Sequence, residues 1–454
     1  MMDSVFDTFV RKSPITVMAR GMVERVFSPK QLDEWFEKTA EVQYTRQLMF
    51  SSVFDIMSQV VCGFSKSVHR AFKAGRENIG VSITSLYNKL NGIEPHTSAG
   101  LVRYAAGQIR PLIEKLGGAQ EPLIPGFRVK LLDGNCIGAT HHRIKELRSI
   151  AGGALPGKSL VVYDPALRIP IDVFPCEDGH TQERLLLQEV LPTIESQDLW
   201  IADRNFCVRN FLFAMYAKQG YFIVRQHANL PFTPIGEEKA VGSIDGTKVF
   251  EQYIIVTDES GKQYKFRRIR VVLKKKTRDG DKEIFLITNL SKTKANAKQV
   301  SVLYRKRWKI ETAFQELTVY LKCEVNTLGY PPAALFAFCV ALVTYMIVAL
   351  MKAALSSVYG ADRIDRELSG YYLADELSMI YPGMMIAVSD DTWLIFRQFS
   401  EDELVDFLEL LAKNVDMWRF KKSTRGPKKP APKRKVDPKH PHVSTARILA
   451  NRKK

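Results

Sequence analysis

The sequence predicts an α/β core interrupted by a β-rich block, with helices before and after it. Three observations carry this. Apolar residues recur at helical spacing up to Leu116. Short apolar strands then alternate with helical segments. From Gly220 to Leu290 strand-like runs follow one another, punctuated by glycine, and helical patterning returns at Ala295.

In chain order, the helical spacing runs through Gln31–Ala40, Thr45–Val61, Val68–Ala74 and Leu101–Leu116. Ser28-Pro29 and Ser82 are helix starts. Gly80 to Gly92 gives a glycine turn, a Ser N-cap and a short helix with Thr84, Ser85, Asn88 and Lys89 outward. That pattern suits the recognition half of a helix-turn-helix and an ordinary bundle helix equally. Past Pro122, Phe127–Leu132 reads as a strand ending in Asp133. Leu160–Tyr163 and Arg168–Phe174 read as two more, joined by a turn at Asp164-Pro165. Glu183–Ile194 is helical, Leu199–Ala202 is a strand ending in Asp203, and Cys207–Lys218 is helical again. The β-rich block offers Tyr221–Arg225, Lys248–Thr257, Tyr264–Leu273 and Glu283–Thr288. Helices run from Ala295 to about Tyr371 and over Glu401–Lys413. The expected division is a helical region 1–120, a core 121–219, the β-rich insertion 220–290, a second core part 291–375, a helical region 376–418 and a tail 419–454.

Ala333–Met351 is uncharged and long enough to span a bilayer. Its alanines, Thr344 and Tyr345 suit a buried core helix, which is the expected role. The net charge is +17, which points to a polyanionic partner, either nucleic acid or an acidic membrane surface. Position sharpens this. From Arg419 to Lys454 there are fourteen Lys or Arg and one acid, Asp437, so +13 lies in the tail. Five prolines and few apolar residues before Val443 predict disorder there, and the charge predicts attraction to phosphate. The six cysteines show neither C-x-x-C nor zinc-ligand spacing and read as reduced thiols of a cytosolic protein. Asp3 and Asp7, with no apolar run after them, argue against a secretory leader.

The chemistry is sought on the helix around residue 311. At ~100° per residue from Ile310, Phe314, Leu317 and Leu321 fall at about 40°, −20° and 20°, an apolar stripe able to pack on a sheet. Tyr304, Arg307 and Glu311 line one edge of that stripe at about 120°, 60° and 100°. Geometry alone leaves open a solvated Arg307/Glu311 pair, worth tenths of a kcal/mol. Asp133 and Asp203 each directly follow a short apolar strand, and carboxylates so placed share a crevice if the strands are neighbours. Two Asp and one Glu are hard oxygen ligands suited to Mg²⁺ or Mn²⁺. Asp164, Asp172, Glu177, Asp178 and Asp198 are competing acids.

Tyr304-Arg-Lys-Arg307-Trp-Lys-Ile-Glu311 resembles the Y-x2-R-x3-E-x6-K signature of insertion sequence 4 family DDE transposases. Asp203-Arg204-Asn205-Phe206 resembles their Asp-Arg-Gly-Phe motif, and Leu132-Asp133-Gly134 the first Asp motif. The resemblance implies a ribonuclease H-like catalytic core with a β-rich insertion, preceded by an N-terminal α-helical DNA-binding domain. It implies that Asp133, Asp203 and Glu311 bind two Mg²⁺ ions, with Mn²⁺ able to substitute. It implies cut-and-paste cleavage at element ends and strand transfer, with Tyr304, Arg307 and Arg204 on DNA. The implied partners are double-stranded DNA, at terminal inverted repeats and target, and a second copy of the chain on that DNA. No membrane is implied, and the implied location is the bacterial cytoplasm, on the nucleoid when bound.

Two departures stand out. The motif Lys falls at Thr318, which has no ammonium; Lys322, at about 120° on the same wheel, is the expected substitute. Asn205 replaces the usual Gly, and Asn tolerates positive φ. Trp308 falls off both rows and is expected to pack. The alternative function is a transposase-derived DNA-binding protein or repressor impaired in catalysis. A membrane protein with a basic tail lacks a second span, and a two-carboxylate glycosidase leaves the basic balance unexplained.

Overall fold

The structure is a computed structural model. It describes residues 4–43, 45, 47–75, 79–139, 144–148, 153–277, 280–325, 327–423 and 443–452. It is a mixed α/β fold with a large mixed sheet and many helices.

Among the described residues the first helices are α1 (Ser4–Lys12), α2 (Pro14–Val26), α3 (Pro29–Thr39), α4 (Phe50–Val61), α5 (Val68–Ala74), α6 (Ile83–Gly92) and α7 (Pro95–Lys115). Ser82 caps α6 by accepting from the Ser85 amide at 3.1 Å. Leu86 and Leu90 of that helix are buried, while Thr84 and Ser85 face out.

The sheet then forms from β1 (Arg128–Ala139), β2 (Ala154–Asp164), β3 (Ile169–Cys176) and β4 (Asp198–Ala202). After α8 (Arg209–Ala217) come β5 (Tyr221–Arg225), β6 (Thr233–Ile244), β7 (Thr247–Thr257), β8 (Gln263–Val272) and β9 (Glu283–Thr288). β3, β2 and β1 pair antiparallel, whereas β4 and β5 run parallel to β1. β9 joins β5 antiparallel, and β8, β7 and β6 extend the same sheet. Tyr221–Arg225, read with the inserted block, therefore belongs to the parallel run.

Two further corrections concern strands. β1 does not end at Asp133 but runs on to Ala139 against β2. What ends there is the parallel pairing with β4, whose last partners are Leu132 and Ala202. β6 escapes the periodicity because it is exposed along most of its length and has no apolar face to alternate. Its readable signal is Asp245-Gly246, both at positive φ, the two-residue turn that joins β6 to β7.

The helical half is organised by α11. In order follow α9 (Ala297–Arg305), α10 (Trp308–Tyr320), α11 (Pro331–Tyr359), α12 (Ala361–Glu367), α13 (Gly370–Ala387), α14 (Asp390–Leu394) and α15 (Glu401–Lys413). α11 packs against α2, α4, α7, α15, β2 and β3 at once. This explains its apolar sequence: the consecutive Leu335, Phe336, Ala337 and Phe338 point to all sides of the helix and are all buried. By length and composition it passes as a membrane span, and its apolar surface is covered by protein.

Part of the tail departs from the disorder expected of 419–454. β10 (Val443–Ser444) pairs parallel with Ala154–Leu155 of β2, and α16 (Thr445–Arg452) follows. Val443, Ile448 and Leu449 cover Ile144, Leu147 and Ala154, and Arg447 reaches Asp178 at 2.7 Å. The few apolar residues after the basic run are enough to dock it. Residues 424–442, with seven of the fourteen tail cations, lie outside the described residues.

Candidate active site

The site lies where β1 and β4 part. Both strands are buried on both faces, with Leu131, Leu132, Ile201 and Ala202 sealed from solvent. Their starts are pinned by Asp198, fully buried, which takes Lys130 at 2.7 Å and Arg128 at 3.1 Å. Their other ends deliver Asp133 and Asp203. The Asp203 carboxylate accepts from the Arg204 amide at 2.5 Å and caps a short 3-10 turn, Arg204–Phe206. Asn205 in that turn has no positive φ, so the family's glycine is not required for its backbone.

Glu311 arrives on α10. Ile310, Ala313 and Leu317 are buried and Phe314 partly so, which matches the apolar stripe. On its other side, Glu316 accepts from Tyr345 at 3.1 Å and meets Lys352 at 3.4 Å, tying α10 to α11. The wheel assumed one helix from Tyr304 onward, and here the structure differs. Between α9 and α10 the bonds tighten to i→i−3: Lys306 to Leu303, Arg307 to Tyr304, Lys309 to Lys306 and Ile310 to Arg307. A 3-10 turn advances ~120° per residue rather than ~100°. Tyr304 is thereby carried into the core, at 7 % exposure, and burial pushes its hydroxyl up to about 12.

Arg307 joins the site. It donates from Nη1 to Asp133 at 3.0 Å and from Nη2 to Glu311 at 2.6 Å, while only 7 % exposed. The pair is not simply solvated: Arg307 is buried, Glu311 is half-buried, and Asp133 joins them. Burial pushes the Asp133 carboxyl up to about 7; Arg307 and the Gly134 amide pull it down, and Glu311 and Asp203 push it up. Burial also opposes the charge on Arg307, but Tyr304, Asp133, Glu311 and Asp203 outweigh it and hold the guanidinium above its ordinary value. The guanidinium is thus the counter-charge of a carboxylate cluster drawn from three distant segments.

The remaining candidates separate. Arg204 is exposed beside the Asp203 turn. Lys322 is not in line with Tyr304: α10 stops at Tyr320, Leu321 is extended, and the Lys322 amide bonds to the Val61 carbonyl at 2.8 Å. Its stem lies beside Gly63, at the end of α4. Lys322→Ala is accordingly expected to leave DNA affinity and its salt dependence unchanged within about twofold. A fall of about one in the slope of log K against log salt would show a phosphate contact instead. Thr318 is exposed, and its hydroxyl donates to the Phe314 carbonyl at 2.9 Å. Trp308, expected to pack, is 56 % exposed, with the Arg307 guanidinium 5.7 Å from its ring.

Sequence reasoning missed Glu183. Its carboxylate accepts from Asn205 at 3.2 Å and lies over Gly134, where an added Cβ would stand 2.2 Å from Oε1. Gly134 after the first Asp is the signal that could have pointed to a close approach.

Residues 125–346 match the transposase DDE domain family. The match spans β1 to the first half of α11 and holds Asp133, Asp203 and Glu311. A curated protein of Sinorhizobium fredii (strain NBRC 101917 / NGR234), named "Putative transposase y4zB", is 27 % identical over 179 residues, 38 % of this chain. The chain spans 47 % of the length of that relative. The cryo-EM structure of piggyBac transposase synaptic complex with hairpin DNA aligns at 11 % identity and a TM-score of 0.35, covering 86 % of this chain and 83 % of that one. The transposase DDE domain match and the curated relative support a transposase.

Proposed function

We propose that this chain is a cut-and-paste DNA transposase of the insertion sequence 4 type, which cleaves DNA at element ends and joins the freed 3′-hydroxyls to target DNA. The observation that carries this reading is the meeting of Asp133 and Glu311 on Arg307, beside the Asp203 turn and inside the matched segment. The order β3-β2-β1-β4-β5, antiparallel then parallel, supports a ribonuclease H-like core with β6–β9 as the insertion.

The donor set suits divalent cations in kind. Three carboxylates offer hard oxygens, and they stand near enough that Glu311 and Asp203 both act on the Asp133 carboxyl. Among the described residues no three of His, Cys, Asp or Glu are gathered tightly enough to ligate one ion, and Arg307 holds two of the carboxylates. Transposase DDE domains generally use divalent metals. Asp133, Asp203 and Glu311 would hold two Mg²⁺ ions, or Mn²⁺ in their place, which supply an activated nucleophile and a stabilised leaving oxygen. The chain's own residues do the rest. The Arg307 fork, on releasing a carboxylate, takes a DNA phosphate in the same two-pronged way. Arg204 meets the backbone from the exposed turn beside Asp203. The helices up to residue 120 and the basic tail bind element ends and the flanking duplex through phosphate charge. Two copies pair the two DNA ends, and the protein works on the nucleoid in the cytoplasm.

The test is incubation of the purified protein with the DNA flanking its own gene and Mg²⁺ or Mn²⁺. End cleavage and strand transfer are expected. Binding without cutting favours the second reading, a DNA-binding derivative that no longer cuts. Thr318 favours that reading, since it stands where the family signature has Lys and its hydroxyl is turned back on its own helix. Thr318→Lys is expected to raise the initial cleavage rate by about threefold to tenfold, the worth of one added charge-assisted phosphate contact. An unchanged rate would show that the site works without that ammonium.

A further inference from the structure

We infer that Glu183 is a positioning residue that ties the Asp203 turn to the strand carrying Asp133. This rests on the transposase reading and adds a residue to it. Glu183 opens a 3-10 turn, Glu183–Leu186, that packs against the turn Arg204–Phe206. Its Oε2 accepts from Asn205 Nδ2 at 3.2 Å. Its Oε1 occupies the space over Gly134 where any other residue would place a Cβ, at 2.2 Å. One carboxylate thus spans from the residue after Asp133 to the residue two past Asp203.

The tie matters because the sheet fixes the two aspartates unequally. Asp133 stays in a ladder, since β1 continues against β2 past the site. Asp203 has left its ladder: the pairing of β4 with β1 and with β5 ends at Ala202. Its carboxylate is held by the Arg204 amide of its own turn, so its direction is that of the turn. Asn205 is in that turn, and the Glu183 bond sets where the turn stands relative to β1. The tie needs the Asn205 side-chain amide, which a glycine at this position would not supply.

Two measurements test this. The amides of Phe206 and Cys207 close the turn, bonding to Asp203 and Arg204. Their hydrogen exchange is expected to speed up about tenfold in Glu183→Ala and in Asn205→Ala, and to stay at the wild-type rate in Glu183→Gln, whose amide oxygen still accepts from Asn205. This needs no activity, so it decides the tie even if the protein does not cut. Unchanged exchange in both alanine variants would overturn it. In Mg²⁺-dependent end cleavage, each alanine variant is expected to lose about tenfold in rate with DNA affinity unchanged, and the double variant to lose no more than either alone. Glu183→Gln is expected to stay within about threefold of wild type. A Gln variant as slow as the Ala variant would assign Glu183 a role through its charge and sink the positioning one. Failure of the wild type to cut would count against the transposase reading, with the exchange result standing on its own.

Discussion

Asp133→Ala and Glu311→Gln are each expected to abolish DNA end cleavage, by about a thousandfold or more, while leaving DNA affinity within about threefold of wild type. Losing a carboxylate that places a metal ion removes several kcal/mol of transition-state stabilisation, and each ~1.4 kcal/mol is a factor of ten. On the proposed function, affinity for the duplex comes from Lys and Arg, and neither substitution removes one. Folding should survive. Glu311→Gln keeps the shape at a half-buried position, and Arg307 retains Asp133 at 3.0 Å. Asp133→Ala removes a carboxyl whose burial is itself unfavourable, and Arg307 retains Glu311 at 2.6 Å. The measurement is single-turnover cleavage of a labelled duplex, beside a binding titration and a thermal melt. Cleavage within tenfold of wild type in either variant would remove that residue from the chemistry.

Arg267→Met is expected to destabilise the protein by about 3–5 kcal/mol, the cost of breaking a buried ion pair from one side. Arg267 is 2 % exposed. It donates to Glu251 at 2.6 Å, to the Leu290 carbonyl at 2.8 Å and to the Ala295 carbonyl at 2.7 Å. Methionine fills much of the volume and supplies none of these donors. Glu251 keeps Lys292 at 2.9 Å, which limits the loss on that side. Both carbonyls sit in the connection from β9 to α9, whose Asn296 and Gln299 form a capping box. The site's Tyr304, Arg307 and Glu311 lie just beyond. Loss of Arg267 should therefore loosen the approach to the site as well as the inserted strands. Urea unfolding reads the stability, and an unchanged midpoint would show that the buried cation is dispensable.

Much of the site was legible because its signals are local. An Asp directly after an apolar run, twice, and a Tyr/Arg/Glu spacing on an apolar-striped helix can be seen without coordinates. The stripe itself matched, since burial follows from period alone over the helix's own length. Errors arose where a local rule was carried past its range. The wheel failed for Lys322 because α10 ends at Tyr320, and for Tyr304 because the chain tightens at Lys306–Arg307. The strand β6 was invisible to alternation because neither of its faces is buried. Glu183 carried no pattern, since its partners Gly134 and Asn205 are distant in sequence.

By itself the sequence determined the types of most core strands and long helices, the carriers of the carboxylates and the concentration of positive charge near the end of the chain. Those follow from periodicity, residue chemistry and composition, which need no neighbours. Only the tertiary structure decided that β1 and β4 are adjacent and parallel, so that Asp133 and Asp203 share one end. It decided that the inserted strands join the core sheet through β5 and β9. It also decided that Arg307 faces Asp133 as well as Glu311, turning an ordinary i, i+4 pair into the counter-charge of a buried cluster. Contacts between distant segments depend on how apolar faces are buried together, and here α11 sets that by holding helices from both ends of the chain against the sheet.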